Sequence, residues 1–351
     1  MAIETSSAPD HYTLPDLVGH CKFPLLVHPE SDRVTIETID WVDTNCLQLT
    51  DKQRHLLHTV EAGELAAYCY NTTSYDRLRI CSDFCMYLFI LDDLSDGLLN
   101  EDTETLADSV MNSLEFTEFY RPTKGQPAIE LNSAKLSRDF WARCIKDAKP
   151  GVQARFKEAM QFLFEAFNIQ AKARDSHVVP DLESYIELRR DTSGCKTCWV
   201  LIEYALDIEL PEHVVNHPTI RLLEQYANDL VAWSNDIFSY NVEQSRGDTH
   251  NMVVILMKYH GKTLQGAVDH IGQMCHDTID NFAKLKNELP SWGEEVDEMA
   301  RLYVQGLQDW IVGTLHWTFD STRYFGDTGR EVKETRYIKL LPLREGVTRW
   351  A

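Results

Sequence analysis

The sequence predicts an all-α protein folded as one domain, and three observations carry that prediction. Apolar residues recur at the helical period: in the segment 151–174, Phe156, Met160, Leu163 and Phe167 follow one another at steps of four, three and four. The segments 78–91, 222–242, 267–285 and 299–319 behave the same way. Alternation at period two is absent, and no Asn-Gly pair marks a hairpin. Eight of the twelve prolines, from Pro122 to Pro342, fall in the gaps between these segments. Proline is excluded from helix interiors and tolerated at their first turn, so the gaps read as helix boundaries. About ten or more helices follow from this pattern. No internal repeat and no Gly/Ser linker divides the chain, so one domain is expected over 31–326. The first 30 residues hold Pro9, Pro15, Pro24 and Pro29 and read as an irregular arm. The charged stretch 327–351 reads as a tail that becomes ordered when ligand binds.

Composition narrows the function. Of the 351 residues 44% are hydrophobic and 25% charged, the balance of a globular protein with a large core. A net charge of −21 makes nucleic acid a poor partner, because a phosphate backbone needs a basic stripe. The same field disfavours any anionic substrate unless metal ions or a few placed arginines receive it. Nine cysteines lie in no regular frame, and the opening residues lack the basic and apolar regions of a secretory signal. Reduced thiols in the cytoplasm are expected. The longest apolar runs, 86–91 and 252–257, are too short to span a bilayer.

Two acidic patches carry the chemistry. The first, DDLSD, runs from Asp92 to Asp96 directly after an apolar run. On a helix Asp92 and Asp96 share a face, and Asp93 is turned roughly 100° away. Like charges four residues apart destabilise a helix unless a cation sits between them. Oxygen donors of this kind suit Mg²⁺, although a solvated acidic helix end would look the same. In the second patch, NDIFSYNVE, Asn235, Ser239 and Glu243 stand at successive steps of four. Two such steps drift by about 80°, so an amide, a hydroxyl and a carboxylate line one helix face. Together they hold a single negative charge, which fits a magnesium ion completed by substrate oxygens. Asp236 points elsewhere and is not expected to be a ligand.

With both patches present, 143 residues apart from Asp92 to Asn235, the chain resembles the class I terpene synthases, nearest to the sesquiterpene synthases of basidiomycete fungi. That family carries a DDxxD-type motif and an NDxxSxxxE motif on facing helices. The resemblance runs from about Val34 to Phe325. It implies an α-helical bundle around a central active-site cavity, a trinuclear Mg²⁺ cluster, and farnesyl diphosphate as the small-molecule substrate of a monomer or homodimer. It also implies roles. Arg189, 46 residues before Asn235, stands where the family places an arginine that senses diphosphate, with Arg190 as the competing candidate. Thr192 and Ser193 occupy the helix break that couples binding to ionisation, and Gly194 lets the chain bend there. Arg323 and Tyr324 match a pair that bonds diphosphate when the site closes.

Cyclisation needs walls that exclude water and tolerate positive charge, which aromatic faces do. Leu88 and Phe89 lie one turn before Asp92 on the same side, and the resemblance puts pocket-lining residues at these positions; Trp317 is the aromatic expected from the other wall. Ordinary core packing is the alternative for each. The CxxC of Cys195 and Cys198 has no second pair and no βαβ surroundings, and is set aside. Two rival functions stay open: a chain-elongating prenyltransferase of the same fold, which should carry a second DDxxD, and a helical scaffold without activity.

Overall fold

Helix ends in this protein are set by proline, hydroxyl and carboxylate residues. Pro150–Asp175 and Pro218–Arg246 begin on proline; Thr263 caps Leu264–Leu285, and Asp181 caps Leu182–Thr192 through its side chain. A computed structural model describes residues 10–46, 49–97, 100–123, 125–176 and 178–345, with only the backbone of 96, 97 and 100. Among these residues sixteen α-helices follow one another. The segments with helical periodicity lie within Tyr75–Gly97, Pro150–Asp175, Pro218–Arg246, Leu264–Leu285 and Glu294–Asp320.

The long helices stand side by side around a central chamber. Tyr75–Gly97, the Asp92 helix, packs on Ala62–Cys69, Asn132–Cys144 and Cys195–Ala205. Pro218–Arg246, the Asn235 helix, packs on Leu264–Leu285 and Glu294–Asp320. Glu294–Asp320 closes the ring through Ala62–Cys69. Burial is near complete at the helix contacts, with Phe84, Phe140 and Phe156 clustered at 5.0–5.6 Å between ring centroids. No helix among the described residues is long and apolar enough to cross a membrane.

Both chain ends depart from expectation. The arm expected to be irregular holds a strand, His11–Thr13, paired antiparallel with Tyr337–Lys339 near the C-terminus. Each strand has three residues with one buried, Tyr12 and Ile338, too short to show alternation in the sequence. Tyr12, Leu14 and Leu17 are buried, and Tyr12 Oη donates to Ile237 O at 3.2 Å. Pro15 packs on Gly272 so closely that a Cβ there would lie 2.6 Å from it, so this proline shapes a contact. The tail expected to wait for ligand is docked as far as Arg344. Leu341 N donates to Asn241 Oδ1 at 2.8 Å, Gln244 Nε2 to Leu341 O at 2.8 Å and Arg344 N to Ser245 O at 2.9 Å. Unpaired backbone groups are costly, and here the Asn235 helix satisfies them.

Candidate active site

The Asp92 helix delivers Leu88, Phe89 and Asp92 to one side of the central chamber, while the Asn235 helix delivers Asn235, Ser239 and Glu243 to another. Trp317 comes from Glu294–Asp320, and Arg323 and Tyr324 from the turn that follows it. Arg189, Thr192 and Ser193 enter where Leu182–Thr192 ends. The structure therefore brings all of these sequence-predicted residues to one cavity. The side chain of Asp96 lies outside the described residues. The cavity has a volume of about 150 Å³.

Its two ends differ in chemistry. The inner chamber is walled by Phe89, Phe167, Trp310 and Trp317. It opens past Asp92, Arg189, Asn235, Glu243 and Arg323 into a polar basin, which Asp93, Arg174, Arg246 and Lys258 also line. An apolar room with a charged mouth suits a molecule that is hydrocarbon at one end and anionic at the other.

Arg189 is the hub of the mouth. Its Nε donates to Asp236 Oδ1 at 3.1 Å and its second terminal nitrogen to Asn235 Oδ1 at 2.9 Å. Asp236 also accepts from Tyr185 Oη at 2.6 Å and from Met252 N at 3.1 Å. Burial works against the Arg189 charge, but Asp236, Tyr185 and Asp92 outweigh it and hold the guanidinium above its ordinary value. Asp236 is thus the arginine's anchor. Arg190 turns away, paired with both oxygens of Asp229 at 2.7 and 2.8 Å, and does not line the cavity. One residue of helical rotation separates the two fates.

Charge on the metal-type side chains is held back by burial. Burial raises Asp92 above the usual carboxylate range, Asp93 adds to this, and Arg323 and Arg189 oppose it. Glu243 is pushed up to about 7, by burial first and by the Asp236 charge second. Ser239 is buried, and its hydroxyl lies beside the Glu243 carboxylate, whose charged form it favours. The donor set is all oxygen: the Asn235 amide, the Ser239 hydroxyl and two carboxylates. These residues fit a hard divalent cation.

The break between Leu182–Thr192 and Cys195–Ala205 is a tight feature. Gly194 sits at φ 72°, and a Cβ there would lie 2.7 Å from Leu88 Cδ1. Ser193 Oγ donates to Asn228 Oδ1 at 2.9 Å, while the buried Thr192 Oγ1 has no partner. At the closing turn, Tyr324 Oη accepts from Asn235 Nδ2 at 2.7 Å, and the Arg323 guanidinium lies 4.5 Å above the Phe89 ring. The Trp317 ring lies 5.6 Å from that of Phe89, tilted by 35°, and donates its indole N–H to Val60 O at 2.9 Å.

Several residues of the site escaped sequence reasoning. Asn251, fully buried, donates to Glu243 Oε2 at 2.9 Å and to Asp236 O at 2.8 Å; only tertiary packing brings it there. Trp310 and Thr314 also line the chamber. Their signal was present, because Trp310, Thr314 and Trp317 recur at steps of four and three.

Comparison with known proteins fixes the lineage. Residues 83–281 match the model of terpene synthase family 2, C-terminal metal binding. The chain belongs to that family. The matched stretch contains Asp92, Arg189, Asn235, Ser239 and Glu243, while Arg323 and Tyr324 lie beyond it. The alpha-muurolene synthase of Coprinopsis cinerea is 60% identical over 340 residues, covering 97% of this chain and 80% of its own. Sesquiterpene synthase Agr3 of Cyclocybe aegerita is also 60% identical over 340 residues, covering 95% of each chain. The fold matches the crystal structure of germacradien-4-ol synthase from Streptomyces citricolor, with a TM-score of 0.72 at 22% identity over 85% of this chain and 96% of that one. The fold is all-helical at its centre, as the sequence predicts.

Proposed function

We propose that this protein is a sesquiterpene synthase. It ionises farnesyl diphosphate and cyclises the carbocation to a sesquiterpene hydrocarbon or alcohol, releasing diphosphate. The observation that carries this reading is the junction of an aromatic chamber with a charged mouth, where Asp92 and the Asn235, Ser239 and Glu243 face meet. Asp92 with Asp96, and Asn235 with Ser239 and Glu243, would hold Mg²⁺ in a cluster of three, which neutralises the charge gathering on the leaving diphosphate. Arg189, Arg323 and Tyr324 donate hydrogen bonds to the same anion, and charge assistance makes these the strong contacts of the site. The allylic C–O bond breaks with its electron pair leaving on diphosphate, and the cation stays in the chamber.

There the walls take over. Phe89 already carries a guanidinium on its face, so its ring is oriented for positive charge. Trp317 and Trp310 extend that surface, and their bulk keeps water from the cation. Thr192 and Ser193, at the break beside Arg189, relay the arrival of the anion to the chamber below. The enzyme is read as cytoplasmic, consistent with nine free cysteines.

Incubation with farnesyl diphosphate and Mg²⁺, with products read by gas chromatography and mass spectrometry, tests the reading. Cyclic fifteen-carbon products should form with Mg²⁺ and vanish with a chelator. Consumption only when isopentenyl diphosphate is added, with longer prenyl diphosphates formed, would contradict it.

A further inference from the structure

The CxxC pair that the sequence left without a role lines the substrate chamber. Cys195 and Cys198 face it from one side and Cys85 from another. Cys85 lies seven residues before Asp92 on the same helix, two turns and about 10 Å deeper. Cys195 and Cys198 occupy the first turn of Cys195–Ala205, directly after the Gly194 break. The Cys85 and Cys198 thiols lie beside each other in the chamber lining. Tyr70 Oη donates to Cys198 O at 3.1 Å, and the Tyr70 ring meets Trp310 edge-on at 5.5 Å. The two thiols are therefore held in register with an aromatic wall.

All three cysteines are free and buried, and burial raises each thiol. Cys195 is pushed up to about 12. A thiol kept neutral in this way neither attacks as a thiolate nor binds metal. It offers a compact, polarisable and weakly hydrogen-bonding surface. A hydroxyl in its place would demand a strong partner and invite water to supply it. At the end of the chamber far from the charged mouth, that difference bears on how the hydrocarbon folds and on whether water reaches a cation.

Resting on the function proposed above, we infer that Cys85 and Cys198, with Cys195 on the wall above them beside the Gly194 break, form the floor of the chamber, receive the apolar end of the isoprenoid chain, and are specificity-determining residues for its products. Removing a sulfur deepens the floor and removes a soft contact from one folded intermediate more than another. Oxygen in place of sulfur admits water. The mouth, where ionisation occurs, is untouched by either change.

The test has two arms. Products of Cys85→Ala, Cys198→Ala and Cys198→Ser are compared with those of the parent and of Cys275→Ala, a buried cysteine outside the chamber. Ratios among products should shift by about threefold in the alanine variants, the effect of losing one sulfur contact. Cys198→Ser should raise the alcohol share, and Cys275→Ala should leave the ratios as they are. Unchanged ratios in all three floor variants would overturn the inference. The second arm needs no turnover. Melting shifts are read for the parent and Cys198→Phe with Mg²⁺ and either farnesyl thiodiphosphate or inorganic diphosphate. A phenyl ring fills the floor, so the shift given by farnesyl thiodiphosphate should fall in Cys198→Phe while that given by inorganic diphosphate stays. Equal shifts in the two proteins with both ligands would also overturn the inference. If the parent forms no fifteen-carbon product, the proposed function fails, and the melting arm still decides the floor.

Discussion

Arg189 and Arg190 are adjacent, both are paired to a buried aspartate, and only one faces the chamber. That makes each the other's control. Truncating either strands a carboxylate, Asp236 or Asp229, at a similar cost of about 3 kcal/mol. Arg189→Ala should also lose about a hundredfold in turnover, the cost of removing a placed donor from developing negative charge. Arg190→Ala should lose little beyond stability. Steady-state rates beside urea unfolding check this, and the reverse ranking would reassign the sensor. A second residue-scale prediction follows from Glu243, whose carboxyl is pushed up to about 7. Mg²⁺ binds the carboxylate, so a proton competes with it at and below that pH. The Mg²⁺ concentration giving half-maximal rate should rise as pH falls below 7, by up to about tenfold per unit, change only about twofold from 7 to 8, and be flat above 8. A constant value from pH 6 to 8 would exclude Glu243 as a proton-linked ligand. Asp92, Asn235, Ser239 and Glu243 were legible in the sequence because their relation is one of helical spacing. The Tyr185–Asp236–Arg189 network and Asn251 were not, because their partners meet only through packing between helices.

At the level of elements, the sequence showed the long helices well and the chain ends poorly. A helix of twenty-nine residues such as Pro218–Arg246 repeats its apolar period many times. A strand such as Tyr337–Lys339, with three residues, cannot repeat a period of two. Prolines in the arm read as irregular structure, yet Pro15 fills a notch above Gly272. The Gly194 break lies against Leu88 of the Asp92 helix, so in the proposed function it is where binding would be coupled to chemistry. At φ 72° an alanine carries the left-handed penalty of about 1–2 kcal/mol and presses its Cβ on Leu88. Gly194→Ala should therefore lower the unfolding free energy by about that amount and alter the product ratio, because Leu88 lines the chamber. Urea unfolding and product analysis read both. A variant with the stability and products of the parent would mean that the break is not a constrained joint.

For the molecule as a whole, function rests on bringing two helix faces from distant parts of the chain to one mouth. A protein of charge −21 repels a diphosphate, and the arginines at the mouth are already engaged by Asp236 and Asn235 or rest over Phe89. Neither acidic face is sufficient alone on this account, because the cation cluster spans both. The most direct measurement is the rate of diphosphate release from farnesyl diphosphate with Mg²⁺ by the parent, Asp92→Asn and Glu243→Gln, each with its melting temperature. Both substitutions keep the shape of the side chain and remove one negative charge. Each should slow release by about a hundredfold or more while the protein melts near the parent temperature, since several kcal/mol of charge stabilisation depend on each face. Release at the parent rate from either variant would contradict a site built jointly by the two helices.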